Sequence, residues 1–107
     1  QDKWHDPAAF LNFDQQGKPH FPGFGDEAIQ FLTEQRKIKG VGIDTHGVDP
    51  GCDDSFIINK RILENNGFVL ENLTNLDQLP PTEITLILGI IKLTGGSGAP
   101  ISVLALI

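Results

Sequence analysis

The chain has 107 residues, 39% of them apolar, and a formal net charge of −6. Those values describe one small folded domain, and an acidic balance excludes a nucleic-acid or anionic-membrane partner, both of which need a basic patch. The lone Cys52 builds neither an internal disulfide nor, by itself, a thiolate zinc site.

Residues 1–25 interleave Pro7, Gly17, Pro19, Pro22, Gly23 and Gly25 with Trp4, Phe10, Phe13, Phe21 and Phe24. This mixture predicts an irregular segment anchored by rings, with His5 and His20 on its surface. Residues 26–38 read as a helix, because Ala28, Ile29, Phe31, Leu32 and Ile38 share half of a helical wheel. Asp26 and Glu27 near its start and Arg36, Lys37 and Lys39 near its end suit the helix dipole. Gly40 stops it, and 41–44 (VGID) reads as a short buried strand. After the loop THGVDPG, Asp53 and Asp54 are N-cap candidates for a second helix over about 54–65, with Gly67 as its C-terminal stop.

The second helix should bury a stripe of Phe56, Ile58, Ile62 and Leu63, yet Asn59 falls inside that stripe. A buried amide needs hydrogen-bond partners. The strand that follows, FVLENL over 68–73, places Glu71 among Phe68, Val69, Leu70 and Leu73. A carboxylate buried there is costly unless paired or neutralised, and without a counter-charge its pKa would rise. The residues alone allow a buried Asn59–Glu71 pair that ties helix to strand. Two final strands, 84–92 and 101–107, are joined by TGGSGAP. That connection lacks a P-loop ending and the last glycine of a nucleophile elbow, so it reads as a tight strand connection and gives Ser97 no catalytic role. Asp44, His46 and Asp49 form either a metal cluster or an aspartate-rich turn.

The ordered series KGVGIDT, VDPG, LENLTNLDQLPP and IKLTGGSGAP, preceded by WHDPAAFLN and HFPGFGDEAIQFL, resembles the cyclase family of metal-dependent hydrolases, which includes kynurenine formamidases and isatin hydrolases. The resemblance covers nearly the whole chain. It implies an α+β architecture, the swivelling β/β/α fold, of which these residues form the C-terminal portion. It also implies a zinc or manganese ion that activates water against an amide, formamide or lactam carbonyl. Most ligands would come from a histidine-rich motif, H-x-G-T-H-x-D-x-P-x-H, that this sequence does not contain. A glutamate matched by Glu71 and a helix histidine matched by Asn59 would complete the site. Asn59 departs from the pattern, since an amide oxygen is a weak neutral ligand. Gly47 stands where the family has serine and Ser102 where it has arginine, while Asp44, Thr45, Asp49, Gly95, Gly96, Gly98 and Pro100 match.

The expectation is a part of a hydrolase with no complete active site in these residues, or a non-catalytic relative that keeps the fold. Two helices should pack on one sheet containing all four strands. The absence of methionine, the Gln1 opening and the closing strand suggest a piece of a longer precursor. Its N-terminal piece, and further copies in a homo-oligomer, would be the partners that cover its apolar faces. With the sequon Asn72-Leu73-Thr74, the same features lean toward a processed, secreted chain.

Overall fold

The computed structural model describes residues 5–107, which divide into two compact units, one up to Thr74 and the other Asn75–Ile107. The first unit opens with a short helix, α1 (Pro7–Leu11), so the expectation of an irregular segment is corrected there. Asp6 caps it, with Oδ1 accepting from the Ala8 amide at 3.0 Å, and Pro7 takes the first helical position, where a missing N–H is harmless. Trp4, one of the expected anchoring rings, lies outside the described residues.

Helix α2 (Asp26–Glu34) ends before the expected 38. Lys37 turns left-handed at φ 53°, and the Ile38 amide reaches back to the Leu32 carbonyl at 3.2 Å. This reversal keeps Ile38 against the core and removes Arg36 and Lys37 from the helix end. A parallel pair follows: β1 (Gly40–Gly42) and β2 (Phe68–Leu70), with Val41 opposite Val69, crossed over by helix α3 (Ile57–Glu64). The core between them is Ile29, Val41, Val48, Ile58 and Ile62, flanked by Phe24, Leu32, Ile38, Ile43 and Val69. Only half of the expected α3 stripe is inside. Ile58 and Ile62 are sealed, whereas Phe56 and Leu63 are more than half exposed.

Helix α3 ends in a Schellman motif. The Gly67 amide donates to the Ile62 carbonyl at 2.9 Å and the Asn66 amide to Leu63 at 3.0 Å. Asn66, at φ 56°, is the left-handed residue, and Gly67 has another duty. A Cβ on Gly67 would lie 2.7 Å from both the carbonyl oxygen and Cγ2 of Ile62.

The second unit holds a 3₁₀ turn (Leu76–Gln78) and an antiparallel hairpin of β3 (Thr85–Gly89) and β4 (Ser102–Leu106), in register from Thr85–Leu106 to Gly89–Ser102. In the connection, Gly96 N–H donates to the Leu93 carbonyl at 3.2 Å, with Gly95 at φ 72°. TGGSGAP therefore bears a turn, but β3 stops at Gly89 rather than at 92, so the expected tight connection is corrected to a longer one over 90–101. The single sheet of four strands is corrected to two separate sheets of two. β1 and β2 are only three residues long, and past Leu70 the amides of Asn72 and Leu73 bond to the carbonyls of Thr45 and Ile43. In the hairpin, β3 and β4 pair with each other alone among the described strands. Leu86, Ile87, Leu104 and Leu106 are all exposed on it. Among the described residues no helix is long and apolar enough to cross a membrane.

Candidate functional site

The first unit carries an open cleft of about 720 Å³, walled by the 16–21 segment, the 46–54 loop, the start of α3 and Glu71. Its floor depends on close backbone packing. Phe24 N–H donates to the Val48 carbonyl at 2.8 Å and Gly51 N–H to Phe21 at 2.9 Å, so the two loops lie side by side. A Cβ at Gly23 would sit 2.3 Å from the Pro50 nitrogen, and one at Gly51 2.8 Å from the Phe21 ring. Glycine is thus required at both. The buried Thr45 hydroxyl, 2.9 Å from the Pro22 carbonyl, ties the same segments together.

Asp49 is the organising side chain. It is almost fully buried, and its carboxylate accepts three hydrogen bonds from α3: Ile58 N–H at 2.7 Å, Asn59 N–H at 3.1 Å and Asn59 Nδ2 at 2.7 Å. It therefore caps the helix from the preceding loop and fixes the Asn59 side chain. The expected caps, Asp53 and Asp54, do not reach the helix. Asp53 instead accepts from the Ser55 amide at 2.8 Å, and its bonds to Ser55 hold its carboxyl below the ordinary 3.8, with Lys18 and Lys60 adding smaller attractions. The residue at the helix boundary is Phe56, in a left-handed backbone conformation (φ 54°) that costs a bulky residue about 1–2 kcal/mol. Of the two readings open for the Asp44, His46 and Asp49 loop, backbone capping describes Asp49, although the N–H groups belong to the helix rather than to its own turn. Among the described residues no three His, Cys, Asp or Glu side chains gather as a metal cluster.

Glu71 does not occupy the buried position expected of it. Strand β2 ends at Leu70, which is buried, and Glu71 lies just past it and is exposed. The desolvation cost that demanded a neutralising partner is therefore absent. Nor does Glu71 bond to Asn59, whose amide is committed to Asp49. What the structure does bring together is their surroundings: Asn59 and Glu71, twelve residues apart in sequence, line the same cleft. Phe21, His46 and Phe56 line it too, with His46 edge-on to Phe21 at 5.9 Å between ring centroids.

His5, His20 and Cys52 of the first unit do not line this cleft. His5 is exposed. His20, also exposed, lies 2.9 Å from Asp14 through Nε2. That bond, with the Lys18 and Gln16 amides, holds the Asp14 carboxyl below 3.8. Cys52 is free and exposed. Ser102 opens β4 in the second unit. Gly47 lines the cleft, and a Cβ there would stand 3.5 Å from the Phe21 ring, an ordinary contact, so the fold does not itself forbid serine.

The Cyclase family, described as "Putative cyclase", matches residues 1–50. An isatin hydrolase of Roseibium aggregatum is 40% identical over 106 residues, which is 95% of this chain and 40% of that protein. Isatin hydrolase A from Ralstonia solanacearum superposes with a TM-score of 0.83 at 36% identity, covering 96% of this chain and 40% of the other. An isatin hydrolase bound to the product analogue thioisatinate superposes with a TM-score of 0.89 at 38% identity, covering 99% and 41%. The chain thus spans about 40% of the length of the curated relative it matches. Sequence and backbone agree on one likeness: the chain is similar to the cyclase family and to isatin hydrolases, and it shares their α+β fold over the part it spans.

Proposed function

We propose that this chain is part of a metal-dependent hydrolase acting on amide, formamide or lactam bonds, with Glu71 as a metal ligand. The observation that carries this is the shared cleft. Glu71 and Asn59 stand where the family resemblance expects its glutamate and helix histidine, and both line one cavity. The donor set fits one corner of a metal site. Glu71 offers an exposed carboxylate with no protein hydrogen bond among the described residues, and no cluster of three ligands accompanies it. The remaining ligands would come from the histidine-rich motif of an N-terminal piece of the same precursor. When bound, zinc or manganese would polarise the substrate carbonyl and supply an activated water.

The chain's own residues prepare the cleft. Asp49 anchors the first turn of α3 and so fixes one wall. Phe21 and Phe56 give the cleft an apolar lining suited to a flat organic substrate. Kinship with isatin hydrolases favours a lactam among the three bond types. The intact protein, loaded with manganese or zinc, is expected to hydrolyse isatin or N-formylkynurenine, and Glu71→Ala to lower kcat/KM by at least a hundredfold. A metal-loaded protein that turns over neither compound would sink the proposal. A second reading, a non-catalytic relative with a binding or structural role, is favoured by Asn59, whose amide replaces an imidazole and is tied to Asp49. Assembly as a homo-oligomer belongs to the same proposal, since the exposed apolar side chains of the hairpin need cover.

A further inference from the structure

The departure at position 59 leaves an atom with nothing to do. The Asp49 carboxylate can only accept, so the Asn59 atom 2.7 Å from it is the amide nitrogen. The carbonyl oxygen, Oδ1, therefore lies on the other branch of the carboxamide. No described group donates to it. Every side-chain polar atom shut away from solvent among the described residues has a hydrogen-bond partner, and Asn59 is not an exposed residue. Oδ1 is consequently an accessible, unsatisfied acceptor on a residue that lines the cleft.

It is also a preorganised one. Three hydrogen bonds to a nearly sealed Asp49 hold the helix start and the carboxamide together, so little rotamer freedom remains to be lost on binding. Phe56, three residues earlier, also lines the cleft. We infer that Asn59 Oδ1 is a specificity-determining acceptor for the N–H of an amide substrate, so that this chain selects N–H amides and lactams over their N-alkylated analogues. Asp49 is the positioning residue behind it. The inference rests on the hydrolase reading for the identity of the substrate class. It assigns position 59 to substrate recognition in place of the metal contact that a histidine would make. A site that pairs with a substrate N–H disfavours the analogue lacking it, because the acceptor is then left without a partner.

The test uses the intact protein and two lactams that resist ring opening, oxindole and N-methyloxindole, titrated calorimetrically. Wild type is expected to bind oxindole about tenfold more tightly, with the oxindole N–H proton resonance moving downfield on binding. Asn59→Ala should bring the ratio to near one, chiefly by weakening oxindole. A general loss of structure would weaken both compounds alike and leave the ratio unmoved. Equal affinities in wild type, failure to bind either compound, or a preference that survives Asn59→Ala each overturns the inference. If Asn59→Ala does not fold, the wild-type ratio and the N–H shift decide. Isatin hydrolysis is scored separately. An N–H preference without turnover refutes the hydrolase reading alone, and turnover without the preference refutes only this inference.

Discussion

Asp49 holds more of the site than any other single side chain. Its removal strands the Ile58 amide and the Asn59 carboxamide together. Asp49→Ala should lower stability by about 2–4 kcal/mol in urea unfolding, and Asp49→Asn, which keeps one acceptor, by about half that. A loss under about 0.5 kcal/mol would contradict the capping role. A surface carboxylate gives a pH prediction. Asp14 is depressed below 3.8 by its bond to His20 and then by the Lys18 amide. Its folded pKa lies below the unfolded value, so its contribution to stability is complete above about pH 4 and fades as pH falls through the folded pKa. Side-chain carbon NMR should place its midpoint under 3.8, and His20→Ala should raise it. The sequence singled out Glu71 and Asn59, and both line the cleft. It misjudged the burial of Glu71. Burial was inferred from apolar neighbours in FVLENL, but the strand ends one residue before Glu71, and strand length is set by pairing rather than composition. An exposed Glu71 removes the electrostatic argument for a cation; the kinship stands on the sequence and structural matches instead.

At the scale of elements, the two helices departed from expectation at opposite ends: α2 begins where expected and stops early, whereas α3 begins late. The carboxylate capping α3 lies nine residues before the amide it serves, beyond the window in which Asp53 and Asp54 looked suitable. The stop was found at the right place but given to the wrong residue. In Asn66-Gly67 either residue tolerates a left-handed backbone, and only the approach of Ile62 decides that the hydrogen-sized side chain belongs at 67. Asn66→Gly should therefore change the melting temperature little. Gly67→Ala should cost about 1–3 kcal/mol through overpacking, and thermal melts of the two variants separate the roles. The same logic applies to the loop beside the cleft. Gly51→Ala should destabilise by a similar amount because the Phe21 ring is in the way, while Gly47→Ser should stay within about 1 kcal/mol.

For the molecule as a whole, the ordered motifs and their resemblance to the cyclase family were enough to place an α+β fold. They could not reveal two sheets instead of one, because edge pairing depends on which carbonyls the neighbouring loops consume. The hairpin of the second unit leaves Ile87 and Leu104 exposed, and the chain spans only about 40% of its matched relative. Both facts suit a partner surface supplied by further chain of the same precursor. On this account the cleft of the first unit is one wall of a metal-dependent amide hydrolase site, with Glu71 as its carboxylate. The most direct measurement is the metal content of the intact protein and of its Glu71→Gln variant after identical purification and dialysis. Retention of zinc or manganese by wild type and its loss from the variant, by tenfold or more, is the predicted result; equal metal in both, or none in wild type, would contradict it.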